Sequence, residues 1–377
     1  MTKNWRTLLV ALLLANTTMP ASAEEGVTDN TILIGQTTGV TGPFPELIKE
    51  MIDGANAYIS DVNKHGGVHG RKIVMRIRDD KGDAKTTAIT AEKLIKEDHV
   101  FALFQNRGTP HTEVILPIMA ANGVPLMAPS TGAAIFHTPV NRLLFNVRAK
   151  YQDEVIRGVE HFTTVGVTAI GMLHVDDSFG RDSLEGFNKA MAERKLVPYI
   201  IAKFDRVKAD VDGTVAALMR ANPKAVIIVS PPQHIVPLIK AIRATGSQMQ
   251  IMTLSNTSSQ ALAKDLGPAG IGVIVSQITP PPHLISSGLG QEFKNLTMGL
   301  GVAPSYAAME GFVSAKVLVE GLRRAGRNLT RESFIRGLET MQKFDLGGLM
   351  VTYGPDDHTG SEFVELTMIN KDGRFIR

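Results

Sequence analysis

The segment AIGMLHVDDSFGRDSLEGFNKAMAERKLVPYIIAKF, Ala169–Phe204, decides the fold. Its first seven residues are an almost unbroken apolar run of strand length. Asp176-Asp177 ends that run, an amphipathic helical stretch over Arg181–Lys195 follows, and Pro198–Phe204 is strand-like again. A strand without polar alternation is buried on both faces, and a helix between two such strands makes them parallel. The same unit recurs downstream as helix 211–221, strand Ala225–Ser230, helix 235–245, strand Gln250–Leu254, helix 258–266 and strand Gly272–Ile278. Helix 151–163 opens this series. An earlier series runs through Thr31–Thr37, helix Glu46–Lys64, Lys72–Arg78, helix Asp83–Glu97, Val100–Phe104, helix Pro110–Ala121 and Val124–Met127. Two such series predict an α/β protein with two similar lobes, each a parallel central sheet covered by helices.

Composition bounds the function. A chain of 377 residues is long enough for about two domains, and 44% hydrophobic with 20% charged residues is a globular balance. The net charge of +3 is too small to imply nucleic acid as a partner. With no cysteine, disulfides, thiolate metal sites, iron–sulfur clusters, a cysteine nucleophile and a lipidated anchor are excluded. Residues 1–23 read as a secretory signal peptide: Lys3 and Arg6, an apolar run over Leu8–Ala15, then Ala21-Ser22-Ala23 as the cleavage site. The apolar run is too short to remain as a span. A soluble, exported, unanchored protein beginning at Glu24, with net charge near +1 once Lys3 and Arg6 are gone, is expected.

The boundary between the series falls at Asn146–Lys150, without a Gly/Ser linker. Thr279–His283 holds Pro280, Pro281 and Pro282, which bar a helix and force an extended path. Beyond it lie helical stretches at Gln291–Leu300, Tyr306–Ala325 and Arg331–Thr340, then strands at Gly348–Tyr353 and Glu362–Asn370.

Enzyme signatures are missing. The first strand-to-helix turn, Gly35-Gln36-Thr37-Thr38-Gly39-Val40-Thr41-Gly42-Pro43, has the wrong glycine spacing for a dinucleotide site and a proline where amides would cradle phosphate. There is no phosphate-binding loop of the GxxxxGK[ST] form and no GxSxG elbow. His65 and His69 flank Gly66-Gly67, so they belong to a turn and make no metal pair on a helix. No catalytic residue, metal or cofactor is expected. Two loops after first-lobe strands are richer in small polar groups. Arg107-Gly108-Thr109-Pro110 places Thr109 as an N-cap with Pro110 at the first helical position, and Pro129-Ser130-Thr131-Gly132-Ala133 follows the next strand. Hydroxyls and amides there either cap helices or hold a carboxylate. Asp79-Asp80 reads as negative charge near a helix start; Asp176-Asp177 reads equally as that or as a polar group at the cleft.

The sequence resembles the type I periplasmic binding proteins of ABC importers, in the leucine/isoleucine/valine-binding group. The matching landmarks are Ile34-Gly35 with Thr41-Gly42-Pro43, Asn63 with Gly66-Gly67-Val68-His69-Gly70-Arg71-Lys72-Ile73, and Asp79-Asp80. They continue with Gly108-Thr109, Pro117-Ile118 with Gly123-Val124-Pro125, Ala128-Pro129-Ser130-Thr131-Gly132, Phe145 with Arg148, and Asp177 with Phe179-Gly180. The resemblance implies two Rossmann-like lobes joined by three crossovers near Asn146–Lys150, Thr279–His283 and Phe344–Leu349. That gives an N-terminal lobe of 24–148 plus 280–347 and a C-terminal lobe of 149–279 plus 348–377. It also implies ligand contacts from Gly108, Thr109, Ser130, Thr131 and Gly132 to a carboxylate, and from Phe179 in the second lobe. Phe44 and Tyr151 are expected against the apolar part of the ligand, with Gln233 and Asn256 as polar contacts.

Two departures bear on specificity. Gly132 stands where amino-acid binders carry threonine, and the loop Ser255–Ser259 has no acid to meet an ammonium group. Arg107 replaces a small residue and, with Asp176, is a candidate selectivity residue. The expectation is a monomeric periplasmic solute-binding protein that takes a small carboxylate-bearing molecule to an inner-membrane ABC permease, with a carboxylate lacking an α-amino group preferred over leucine, isoleucine or valine. The rival is a sensing module of the same fold.

Overall fold

The computed structural model describes residues 24–377, so the signal-peptide reading of 1–23 lies outside the described residues. The first lobe is built from β1 (Thr31–Thr38), α1 (Pro45–Lys64), β2 (Lys72–Asp79), α2 (Ala84–Lys96), β3 (Ala102–Phe104), α3 (Thr109–Asn122), β4 (Leu126–Met127) and β5 (Leu144–Phe145). All five strands are parallel, in the order β2-β1-β3-β4-β5. The second lobe follows with α4 (Tyr151–Thr164), β6 (Ile170–Val175), α5 (Ser178–Glu193), β7 (Ile200–Phe204), α6 (Val211–Ala221), β8 (Ala225–Val229) and α7 (Pro232–Ala244). It ends its parallel part with β9 (Gln250–Thr253), α8 (Gln260–Leu266) and β10 (Ile274–Gln277). Strands β6 and β8 are buried at every position, as unbroken apolar strands between helical layers must be.

The chain then returns to the first lobe as α9 (Gly288–Thr297), α10 (Tyr306–Ala325) and α11 (Arg331–Glu339). Their starts are chemically marked: Ser287 and Ser305 accept from amides of the first turn, and Thr330 with Ser333 forms a capping box. Phe293, Phe312 and Phe334 from these helices join Ile32, Ile34, Phe101 and Phe104 in one core.

The last segment differs from expectation. β11 (Phe344–Asp345), β12 (Met350–Gly354) and β13 (Asp357–Gly360) form a small antiparallel sheet. Leu349, Val351 and Tyr353 are buried in the first-lobe core, and the Asn146 amide donates to the His358 carbonyl at 2.9 Å. The third passage between lobes is therefore at 361–364, not at Phe344–Leu349, and 348–360 belongs to the first lobe. Only then do β14 (Glu365–Ile369) and β15 (Phe375–Ile376) add to the second sheet, β14 antiparallel to β10 and β15 antiparallel to β14. That sheet runs β15-β14-β10-β9-β8-β6-β7, a parallel sheet with an antiparallel edge. Among the described residues no helix is long and apolar enough to cross a membrane.

Candidate functional site

In open α/β sheets, ligands bind beyond the strand C-termini at the point where strand order reverses. In the first sheet that point lies between β1 and β3, and in the second between β6 and β8. The loops after these strands face one another, and direct hydrogen bonds close the gap between lobes. Arg107 Nη2 donates to the Asn256 carbonyl at 2.6 Å, and Ser178 Oγ donates to Glu113 at 2.8 Å. The amide of Ala134 donates to Asp182 at 2.8 Å, and that of Ala307 to the Ser258 carbonyl at 3.1 Å.

The two polar loops of the first lobe are zipped together. Arg107 and Ser130 form a parallel bridge that prolongs β3 and β4. The amide of Gly108 donates to the Ser130 carbonyl at 3.2 Å, and that of Ser130 to the Asn106 carbonyl at 2.7 Å. Those two amides are consumed by the fold. What remains is a pair of buried hydroxyls, Thr109 and Thr131, 2.8 Å apart. Only one of the two protons lies between them, so the pair keeps one donor for another partner. First-turn amides of a helix have no partner within it, and Thr109 and His111 supply such amides here.

The capping expected of Thr109 is corrected. Gly108 is the N-cap of α3 and Thr109 is already helical, with no side-chain cap. Gly108 sits at φ +100°, a conformation that a side chain disfavours, and a Cβ there would meet His111 Nδ1 at 2.7 Å. Gly132 is fixed for a different reason. A Cβ on it would lie 2.5 Å from the Ala149 carbonyl, because the first crossover passes against it. The missing hydroxyl at Gly132 follows from that close approach.

The second lobe contributes Tyr151 and Phe179, whose rings pack at 4.6 Å between centroids. Asn256 donates to the Ser230 carbonyl at 2.9 Å while its own carbonyl takes Arg107, and its buried Oδ1 has no partner. Gln233 opens α7, half-buried. Phe44 precedes α1 and packs, half-buried, with Leu47, Ile48, Met51 and Ala307. Asp176 is also corrected. It is exposed and pairs with Lys203 at 2.7 Å and Arg181 at 3.8 Å, and the hydrogen bond from Lys203 lowers its pKa. Its neighbour Asp177 caps α5 and pairs with Arg206.

Arg107 does reach across the cleft. It is half-buried, burial lowers its pKa, and its one hydrogen bond goes to a neutral carbonyl. Beneath it lies a charged cluster that motif reading missed. Arg148, in the first crossover, is 2% exposed and donates to Glu154 at 2.7 Å and to Ser255 Oγ at 2.6 Å. Glu154 also accepts from the Ser255 amide and hydroxyl, both at 2.9 Å, and from Ser276. Glu310 of α10 stands 3.7 Å from Arg148 Nη1. Burial works against the Arg148 charge, but Tyr151, Glu154 and Glu310 outweigh it and its pKa is raised. Arg148 was legible only as a family landmark, while Glu154 and Glu310 sit on helices with no local signal.

A model of the family described as "Periplasmic binding protein" matches residues 31–374. The chain belongs to the periplasmic binding protein family. Its relatives include proteins named as leucine/isoleucine/valine-binding. It is 20% identical to the Leu/Ile/Val-binding protein BraC3 of Rhizobium johnstonii over 332 residues, covering 86% of this chain and 87% of that one. Among solved structures, a substrate-binding periplasmic protein from Ralstonia solanacearum is 28% identical with TM-score 0.85, over 92% of this chain and 99% of that chain. A possible leucine/isoleucine/valine-binding protein from Rhodopirellula baltica is 24% identical with TM-score 0.87, over 95% and 98%. A periplasmic binding protein needs a cleft between lobes and no reacting groups, and the loops described above supply the cleft.

Proposed function

We propose that this periplasmic binding protein captures a small carboxylate-bearing solute between its lobes and passes it to an inner-membrane ABC permease. The observation that carries the reading is Arg107, a half-buried cation between the lobes whose side chain, among the described residues, hydrogen-bonds to a carbonyl and not to a carboxylate. A charge removed from water needs a counter-charge, and a solute anion supplies one. Thr109 and Thr131 offer a spare hydroxyl proton beside it, and Ser130 and Gly132 shape the same loop. Tyr151 and Phe179 face the apolar body, with Gln233 and Asn256 as polar contacts from the second lobe. Ligand groups that touch both lobes favour the closed arrangement, which is the step a transporter recognises.

The same geometry disfavours an α-amino group. The second-lobe loop Ser255–Ser259 is neutral, Arg107 repels an ammonium, and the nearby Glu310 is already beside Arg148 at 3.7 Å. Carboxylates without an α-amino group are the preferred class. The protein acts as an exported monomer, released from its leader after Ala23. Thermal-shift and calorimetric screening of the mature protein against amino acids, aromatic acids, aliphatic acids and amides tests this, since binding to the folded state raises the melting temperature. Tight leucine binding with the simple acids silent would overturn the preference. N-terminal sequencing of periplasmic material that finds Met1 intact would overturn the export step.

A further inference from the structure

Nothing in the motif reading pointed to His111, in the first turn of α3. It is buried, 7% exposed, and among the described residues neither ring nitrogen makes a well-formed hydrogen bond, the Gly82 backbone being the one polar main-chain group that approaches it. A buried imidazole so weakly partnered is costly, and such a group in a native fold needs a reason. The ring lies against the Arg107–Gly108 backbone, the segment that lines the cleft at the strand-order reversal of the first sheet.

We propose that His111 is a positioning residue of the solute site, and that capture of an anion is coupled to uptake of one proton from solvent onto its ring. The inference rests on the proposed carboxylate-binding function.

Charges from every side meet at this ring. Asp80 at the end of β2 and Asp83 capping α2 are the acids, while Arg107 and, from the second lobe, Arg206 are the cations. Asp80 is 1% exposed and accepts from Thr87 Oγ1 at 2.9 Å, from the Gly82 amide at 2.9 Å and from Thr37 Oγ1 at 3.2 Å. Burial is the main influence and holds the imidazole in the neutral form, with Asp80 favouring its charge and Arg206 and Arg107 opposing it. An anion placed beside Arg107 removes the opposing positive field. The balance at the ring then shifts towards the imidazolium, which Asp80 also favours. The proton comes from the buffer; no covalent bond forms or breaks.

The experiment titrates the mature protein with benzoate, succinate, acetate and 4-hydroxybenzoate by calorimetry, in buffers of different ionisation heat, from about pH 8 to about pH 6. The expected result is net proton uptake on binding and an affinity that rises as pH falls, by at most about tenfold per pH unit for one linked proton. His111→Gln keeps a donor and an acceptor but cannot ionise, so whatever affinity it retains should no longer depend on pH. Imidazole nitrogen resonances of the unmodified protein give a second readout: one histidine should become protonated on binding. Binding without proton uptake, or pH dependence that survives in a folded His111→Gln variant, would overturn the inference alone. If none of the four acids binds below about 1 mM, the carboxylate reading and this inference both fall.

Discussion

Replacing Arg107 by methionine separates two effects that the guanidinium carries with opposite sign. In the ligand-free protein the side chain makes one hydrogen bond, at 2.6 Å, to the Asn256 carbonyl, while burial opposes its charge. Losing a hydrogen bond of this kind costs about 1.5–3 kcal/mol, and relief from desolvating the charge offsets a similar amount. Methionine retains much of the apolar length, so the net change in unfolding free energy should stay within about 1 kcal/mol. Binding loses without compensation. One or two charge-assisted hydrogen bonds to a carboxylate contribute about 2–4 kcal/mol, a loss of roughly 30- to 1000-fold in affinity. Calorimetry with the best acid from the screen, alongside denaturant unfolding of both proteins, reads the two quantities. A folded Arg107→Met variant with unchanged affinity would refute the role given to this side chain. A large loss of stability would refute the balance drawn between its hydrogen bond and the cost of burying its charge.

Other substitutions test the surroundings. Thr109→Val removes one member of the hydroxyl pair without touching the cap, since Gly108 holds that position; carboxylate affinity should fall by about 1.5–3 kcal/mol in calorimetry while stability changes by about 1 kcal/mol. Glu154→Gln leaves Arg148 at 2% exposure with Glu310 3.7 Å away, so chemical denaturation should show about 3–5 kcal/mol of destabilisation, and a loss under about 1 kcal/mol would count against the buried pair as a support of the hinge. His137 is buried beside Thr359, and burial pushes its pKa down to about 3 from an ordinary 6.5. The unfolded chain therefore binds its proton first, so stability is full above about pH 6.5 and is lost as pH falls towards 3. The slope should approach 1.4 kcal/mol per pH unit, and His137→Gln should flatten it in acid unfolding curves.

The cleft is held by contacts of unlike kind on its two sides. On one, Arg107 and Glu113 reach to Asn256 and Ser178. On the other, Arg148 ties the first crossover to Glu154 and Ser255 of the second lobe. The half-buried first set is open to exchange with solute groups, whereas the second is fully buried and fixes where the hinge begins. A solute that replaces the Arg107–Asn256 bond with stronger contacts to both lobes deepens the closed state without disturbing the hinge.

The sequence by itself determined the alternation of strand and helix, because burial on two faces demands apolar runs such as Ala225–Val229 and one-sided burial demands the helical period of α4 and α5. It also offered Thr109 and Thr131 as candidates from their loops after parallel strands, while Arg107, Tyr151 and Phe179 became candidates beside the family resemblance. Three things waited on tertiary structure. The path of 344–360 was decided by long-range burial of Leu349, Val351 and Tyr353 against first-lobe helices, which short strands do not announce locally. Asp176 and Asp177 share one local pattern, and only the positions of Lys203, Arg181 and Arg206 showed that both are engaged in pairs. His111 and Glu310 come from elements far in the chain from Arg148 and Glu154, which are themselves six residues apart but are joined to Ser255 and Glu310 only by folding. Their charges acquire meaning only when folding brings them out of water together, where an electrostatic partner a few ångströms away outweighs anything a neighbouring residue in the sequence can supply.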